Sequence, residues 1–178
     1  MTRRRLAIAG AVVLLAAAQI AAQQHGGSHQ WDGHSAAEFI AREEGIVLHP
    51  YHDAAGFPTI CVGHLLSDTK HADLAQWQPM SRAECLDLLD QDLDRFRRAV
   101  DLAVLIALTA DQETALVSLA FNIGSGAFQR SELVRLLDAG APEHQVVLEW
   151  LDWSHAGGKL SDGLVARRRR EVALFYGD

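Results

Sequence analysis

The stretch from Tyr51 to Leu66 restricts the fold of this chain more than any other feature, because it interrupts a sequence rich in helix signals. It combines Gly, Pro and β-branched residues, which favour strands and tight turns over helices. Ala54-Ala55-Gly56 is typical of a turn, and the residues FPTICVGH that follow are typical of a returning strand. The sequence therefore predicts a hairpin or a three-stranded sheet at this point.

Helix start and stop signals surround this segment. Ser35-Ala-Ala-Glu38 has the pattern of a capping box, and Gly45 is placed to end the helix that begins there. Comparable start signals recur downstream, at Ser81, Thr109, Ser131, Pro142 and Ser161 or Asp162. The order of these elements predicts an α+β fold, with one helix, a small sheet and then a mostly helical lobe.

The N-terminus has a different composition. Three arginines precede 17 uncharged residues from Leu6 to Ala22, which is the pattern of an export segment. As a helix this run spans about 25 Å at ~1.5 Å per residue, the short limit for crossing a bilayer. Three interpretations stay open: a signal peptide cleaved after Ala22, a weak uncleaved anchor, and twin-arginine export. All three direct the chain out of the cytoplasm.

These features divide the chain into three parts. Residues 1–24 are predicted to be a signal or signal-anchor segment with a hydrophobic helix, residues 25–34 a linker, and residues 35–178 a single domain. The linker is rich in Gly and polar residues and contains His25, His29 and His34. We do not expect these histidines to bind a metal, because no Cys or carboxylate cluster completes a ligand set. No cofactor is expected elsewhere in the chain.

The charge balance argues against nucleic acid as a partner. The formal net charge is −7, and beyond the first thirty residues the chain holds 13 Lys and Arg against 23 Asp and Glu, or about −10. Phosphate binding needs a basic surface. The basic run from Arg167 to Arg170 is therefore interpreted as a solvated helix face, with one or two arginines pairing at a lobe interface.

Glu44, Asp53 and Thr59 are candidate catalytic residues. Glu44 ends the first predicted helix beside the apolar run 46–48, a setting that suits a proton donor. Asp53 stands next to a turn, a setting that suits a solvated carboxylate. Two carboxyl groups in such contrasting environments form the pattern of an acid–base pair, as glycosidic hydrolysis requires. On spacing alone an alternative stays open, in which Asp53 only forms a turn and Thr59 only belongs to a strand.

A wider comparison favours the catalytic interpretation. The run EEGIVLHPYHDAAGFPTICVGHLLSD, residues 43–68, closely resembles the active-site segment of the phage-type lysozymes, or endolysins. Residues 116–137 resemble the second signature of that family, and residues 163–175 resemble its closing helix. The resemblance covers nearly everything after Ser35.

The resemblance implies a lysozyme-like fold, with a cleft between a small β-sheet lobe and a larger helical lobe. It implies hydrolysis of the β-1,4 bond between N-acetylmuramic acid and N-acetylglucosamine in peptidoglycan, which lyses the bacterial host cell. By position, Glu44 looks like the general acid, while Asp53 and Thr59 look like the pair that places the attacking water. Three further positions match those that line the family's substrate cleft: Leu65, Phe121 and Ser131.

Cys61 and Cys85 are the two cysteines of the chain. In an exported domain such a pair favours a disulfide over two unpaired thiols, although the second arrangement stays open. Cys61 departs from the commonest family pattern, TIGxGH, by replacing its first Gly. His64, which follows Gly63, is expected to hydrogen-bond within the sheet lobe and to support Glu44. Trp150 is expected in the core.

Two rival functions are weighed against a muramidase. A lytic transglycosylase uses one carboxylic acid and no water, and a wall-binding module has no catalytic residues; intact Glu44, Asp53 and Thr59 disfavour both. The predicted partners are peptidoglycan and the inner membrane, the latter through residues 6–22, with a holin as a further candidate. The domain is expected to be a monomer, exported to the periplasm. The apolar segment resembles that of signal-arrest-release endolysins, which tether the enzyme to the inner membrane before release.

Overall fold

Local capping signals start and end the helices of this molecule, whose computed structural model describes residues 35–177. Helix α1, Ala36–Glu44, begins where the Ser35 hydroxyl accepts a hydrogen bond from the Glu38 amide, and it ends at Gly45, where φ is 82°. A positive φ suits glycine, which has no Cβ to clash with the backbone. Glu44 is therefore fixed on the last helical residue, as predicted.

A three-stranded antiparallel sheet follows α1, in the order β1–β2–β3. Its strands are β1, Val47–His52; β2, Pro58–Cys61; and β3, His64–Leu65. Thr59 on the central strand lies opposite both Tyr51 and Leu65, so these side chains share one face of the sheet. The hairpin or three-stranded sheet predicted for this stretch is confirmed.

The rest of the described chain is mostly helical. A 3₁₀ turn, Leu74–Gln76, leads into α2, Arg82–Ala103; α3, Ala110–Ile123; α4, Ser125–Gln129; α5, Glu132–Asp138; α6, Glu143–Asp152; and α7, Asp162–Tyr176. Complete capping boxes start α2 and α3, with Ser81 paired to Glu84 and Thr109 paired to Gln112. The predicted α+β order is confirmed.

Helix α3 forms the centre of the helical lobe. Its residues from Thr114 to Ala120 are all buried, and α2 and α7 pack against it. Trp150 of α6 is fully buried and meets Phe175 of α7 with ring centroids 5.3 Å apart. The core position predicted for Trp150 is confirmed, and burial of each such large side chain stabilises the fold by about 1.5–3 kcal/mol.

Some elements were not predicted: the 3₁₀ turn, the short helix α4 and a second hairpin. In this hairpin β4, His155–Ala156, pairs with β5, Lys159–Leu160. The turn between these strands is Gly157-Gly158, with φ of 57° and 76°. Two consecutive positive φ angles are typical of the tight two-residue turns that join the strands of a β-hairpin.

The arginine run follows its prediction in part. Arg169 and Arg170 are exposed, as expected for a solvated face, whereas Arg167 and Arg168 lie on the buried face of α7 and pair with acids. The predicted N-terminal hydrophobic helix, the cleavage site and the linker histidines lie outside the described residues. Between residues 35 and 177, no helix combines the length and apolar character needed to cross a bilayer.

Candidate active site

A cavity of about 340 Å³ lies where the end of α1 meets the sheet, α2 and α3. Its walls combine both lobes, and the residues that line it are Glu44, Gly45, Val47, Tyr51, Cys61, Val62, Gly63, Asp92, Arg95 and Phe121. Among the predicted site residues, Glu44 and Phe121 are in this lining. A concave site between a sheet and helices is where ligands commonly bind.

Glu44 meets the cavity with one carboxyl oxygen already engaged. Arg167 Nη1 on α7 donates to Glu44 Oε1 at 2.5 Å, and the Glu44 side chain is 32% exposed. The contact joins the last turn of α1 to the last long helix of the chain. The carboxyl group is therefore held in position from behind while it remains accessible.

Arg167 is itself fixed by the core. Its Nε donates to Glu171 Oε1 at 3.2 Å, and its Nη2 contacts both the backbone and the hydroxyl oxygen of Ser118 at 3.4 Å. The side chain is 6% exposed. Because all three nitrogens of this planar group have partners, the orientation of the guanidinium toward Glu44 is determined by buried contacts.

Glu171 is the centre of this buried network. The fully buried carboxylate accepts hydrogen bonds from Ser118 Oγ at 2.7 Å and from Trp150 Nε1 at 3.0 Å, in addition to Arg167. Arg168 Nε also lies 3.0 Å from Glu171 Oε2. Burial lowers the pKa of Arg168, and the Glu171 carboxylate opposes that shift. Two arginines thus compensate one buried acid, the condition under which a charge is tolerated in a core.

Sequence reasoning missed the role of Glu171. The signal was present, because an acid that follows four arginines lies three and four residues from Arg168 and Arg167, on the same helix face. The partner of Arg170 was not predicted either. Arg170 binds Glu43 through two hydrogen bonds of 2.6 and 2.7 Å. Both acids at the end of α1 are therefore held by α7.

Asp53 forms a turn directly after β1. Its Oδ1 accepts hydrogen bonds from the amides of Ala55 at 2.9 Å and Phe57 at 2.8 Å. This is the geometry of an Asx turn, so one of the two carboxylate oxygens of Asp53 has a turn-forming role. Among the hydrogen bonds of the described residues, none involves Oδ2, and that oxygen is available to a water molecule.

Thr59 lies in β2 and is 3% exposed. Its hydroxyl donates to the Phe57 carbonyl oxygen at 2.9 Å, which leaves the Oγ1 lone pairs to accept. Asp53 and Thr59 are not among the cavity-lining residues, but Tyr51, which lies opposite Thr59 and two residues before Asp53, is. Thr59 therefore pairs with a cavity-lining residue of β1, and Asp53 lies in the turn that follows β1, but neither is in the lining itself.

The three predicted substrate-binding residues occupy different surroundings. Phe121 lines the cavity, with its ring centroid 5.2 Å from that of Phe96. Leu65 is 51% exposed at the edge of the sheet. Ser131 is buried and caps α5, where its hydroxyl accepts from the Val134 amide at 3.4 Å. Only the first of these three has a place in the lining described above.

His64 had been predicted to hydrogen-bond within the sheet lobe, but its partner lies on the helical lobe. Its Nδ1 lies 2.8 Å from Asp92 Oδ2 on α2. Because Asp92 also lines the cavity, the contact fixes the sheet against the opposite wall. No contact between His64 and Glu44 is present among the described hydrogen bonds.

Cys61 and Cys85 form a disulfide that joins β2 to the first turn of α2, with their Cα atoms 5.4 Å apart. Cys61 has a φ of 60°, in the left-handed region. Glycine adopts that region without steric cost, which accounts for the Gly at this position in the commonest family pattern. The link places a covalent bond in the wall of the cavity.

Comparison with known proteins supports one family. The Phage lysozyme family model matches residues 41–171. The SAR-endolysin of Escherichia phage Mu is 38% identical over 134 residues, which cover 74% of this chain and 73% of that protein. The endolysin of Salmonella phage P22 is 38% identical over 137 residues, covering 76% and 91%. A crystal structure of a P22 lysozyme mutant superposes with a TM-score of 0.68 at 35% identity, covering 79% and 94%.

Proposed function

Because this chain belongs to the phage lysozyme family, we propose that the cavity beside Glu44 is its active site and that Glu44, Asp53 and Thr59 are its catalytic residues. The enzyme is a muramidase, a glycoside hydrolase that hydrolyses peptidoglycan and lyses the bacterial host cell. The observation that supports the site most strongly is the position of Glu44, a carboxyl group that lines the cavity and is held by Arg167.

Glu44 is the general acid in this proposal. It gives its proton to the glycosidic oxygen as the bond from that oxygen to the anomeric carbon breaks. Arg167 contacts Oε1, so Oε2 is the oxygen assigned to proton delivery. The leaving sugar departs with a new hydroxyl group.

Asp53 and Thr59 position the water in this proposal. Oδ2 of Asp53 and Oγ1 of Thr59 accept hydrogen bonds from one water molecule, which attacks the anomeric carbon from the face opposite Glu44. Asp53 takes the proton that the water loses. Attack from the opposite face inverts the anomeric carbon and requires a carboxyl separation of about 6.5–9.5 Å.

Substitution of the two carboxylates tests these roles. Glu44→Gln removes the proton donor, and we expect activity on peptidoglycan to fall by about 10²–10⁴-fold while the protein stays folded, with a change in thermal unfolding comparable to that of Glu43→Gln. Glu43→Gln is a matched control, because Glu43 is the preceding residue and is also held by an arginine of α7. Near-native activity of Glu44→Gln would remove Glu44 from the mechanism.

Asp53→Asn is expected to lose most activity for a different reason, because an amide is a poor acceptor for the proton of the water. Asp73→Asn is its control, since Asp73 Oδ1 accepts from the Ala75 amide in a similar turn and Asp73 has no role in the proposed chemistry. Asp53→Asn activity equal to that of the Asp73 variant would leave Asp53 as a turn-forming residue.

We also propose that residues 6–22 are retained and tether the enzyme, facing the periplasm, until release. The Mu relative is named a SAR-endolysin. The seven Leu, Ile and Val residues of this run favour insertion by only about 2–4 kcal/mol, a weak anchor. The cytoplasmic arginines at positions 3–5 make that anchor sensitive to membrane potential. Residues 25–34 then act as the linker to the domain. We propose that this domain is a monomer and needs no cofactor. A holin that depolarises the membrane is proposed as a further partner.

Collapse of the membrane potential tests the tether. After a protonophore is added to expressing cells, the full-length chain should move from the membrane fraction to the soluble periplasm as lysis begins. Recovery of only a shortened chain that begins near Gln23 would show signal-peptide cleavage and would contradict the proposal.

A further inference from the structure

The cavity contains a cation with no role in the proposed chemistry. Three of its lining residues are charged: Glu44 on α1, and Asp92 and Arg95, one turn apart on α2. Glu44 is bound by Arg167, and Asp92 is bound by His64. Two of the three charges therefore have protein partners, and Arg95 is the charge to be explained.

Arg95 rests on an aromatic ring and not on a carboxylate. Its guanidinium carbon lies 4.7 Å from the centroid of the Phe96 ring, and in the part of the chain that the structure describes it makes no ion pair. Phe96 is buried and packs against Phe121 of the cavity wall. A guanidinium stacked on a fixed ring keeps its N–H groups free for a planar acceptor.

The setting makes this cation unusual. Beyond the first thirty residues the chain carries a charge of about −10, from 13 Lys and Arg against 23 Asp and Glu. An acidic domain repels an anionic polymer at long range, so local positive charge is needed where that polymer must bind. An exposed arginine in the wall of the cavity meets that need.

We propose that Arg95 binds a carboxylate on the branch carried by N-acetylmuramic acid. This inference rests on the proposed function. Every muramic acid unit carries a lactyl group, either as a free carboxylate or linked to a stem peptide that has its own carboxylates. A guanidinium pairs with a carboxylate through two parallel hydrogen bonds. Arg95 thereby helps to select muramic acid over an unbranched sugar, and it contributes to binding and not to proton transfer.

Substitution of Arg95, with three substrates, tests the assignment. Arg95→Gln is compared with Arg98→Gln, an exposed arginine one turn further along α2 that is absent from the cavity lining. The substrates are intact peptidoglycan, peptidoglycan with its carboxylates amidated, and glycan strands stripped of stem peptides. For intact peptidoglycan we expect KM to rise about threefold to tenfold with kcat unchanged, and the rise to shrink at high salt. Arg95→Lys should recover part of the binding because it keeps the charge.

The three substrates separate the sources of the carboxylate. A KM effect that disappears both after amidation and on stripped strands assigns the stem peptide. One that disappears after amidation but persists on stripped strands assigns the lactyl carboxylate. A KM unchanged relative to Arg98→Gln on all three substrates, or an equal rise on the amidated one, would overturn the inference. The wild-type enzyme is assayed alongside: if it cleaves no substrate, the proposed function fails, and not the assignment of Arg95 alone.

Discussion

At the scale of single residues, Arg167 connects the candidate general acid to the centre of the helical lobe. Its guanidinium contacts Glu44 on one side and Glu171 and Ser118 on the other. Because the second set is buried, the carboxyl group of Glu44 has little freedom to turn away from the cavity. Fixed geometry of this kind contributes to catalysis, since small misplacements of a reacting group are costly in rate.

Arg167→Lys tests this connection. A single ammonium group cannot satisfy Glu44, Glu171 and Ser118 at once, so we expect kcat on peptidoglycan to fall about tenfold to hundredfold with a smaller change in KM. Steady-state kinetics and a kcat–pH profile measure the effect, because a misplaced general acid changes the alkaline limb of the profile. Arg170→Lys is the control, since it disturbs the pair with Glu43 only. Equal losses in both variants would contradict a specific effect on Glu44.

The sequence predicted the candidate residues but not their network. Glu44, Asp53 and Thr59 were found from local position and from the family's spacing, all within one short stretch. Arg167 is 123 residues from Glu44 along the chain, and Ser118 is 49 residues from Arg167. Such distant pairs leave no periodic signal, so the sequence did not show which arginines of the run are buried and which are solvated.

At the scale of elements, α1 is held to α7 by both of its terminal acids. The Arg170 side chain, through its hydrogen bonds, holds the pKa of Glu43 below its usual 4.5. A depressed folded pKa stabilises the protein above the unfolded value, and that stability is lost as pH falls through the folded value. The contribution of Glu43 is therefore present at neutral pH and disappears in acid.

Glu43→Gln should destabilise the protein by about 1 kcal/mol at pH 7, allowing for the exposure of Arg170. As the pH falls below the lowered pKa of Glu43, the wild-type side chain also becomes neutral and the difference should vanish. Urea unfolding of both proteins at neutral and acid pH measures it. A difference that stays constant across this range would show that the pair does not act through charge.

The disulfide ties the sheet to α2 across the cavity wall. Its Cys residues are 24 apart, and a closed loop of about this length stabilises a fold by roughly 3–4 kcal/mol on the chain-entropy model. We predict that Cys61 and Cys85 are oxidised in protein recovered from the periplasm and that reduction lowers the urea midpoint. Thiol labelling of both residues in unreduced, denatured protein would contradict the prediction.

Elements with strong local caps were predictable, and elements defined by a turn alone were not. The helix starts at Ser35, Ser81 and Thr109 follow from side chains that bond to nearby amides. Strands β4 and β5 have two exposed residues each and show no apolar alternation, so the pair Gly157-Gly158 was their one local signal. A short exposed hairpin gains little from burial, and the sequence pattern is correspondingly weak.

At the scale of the whole molecule, the order of elements creates the cleft. One helix, a small sheet and a helical lobe follow one another along the chain, and the cavity lies where they meet. The proposed acid comes from the first described helix, the proposed water-positioning residues from β2 and the turn after β1, and the supporting arginine from the last helix. The proposed hydrolytic centre therefore depends on contacts between the beginning and the end of the described chain.

The proposed centre hydrolyses the glycan with an activated water. Digestion of purified peptidoglycan in heavy-oxygen water, followed by mass spectrometry of the released muropeptides, tests it most directly. We expect reducing muramic acid ends that carry one heavy oxygen, and none from the Glu44→Gln variant. Anhydro-muropeptides, lighter by one water and without the label, would instead show a lytic transglycosylase. No release of muropeptides by the wild-type protein would contradict catalysis altogether.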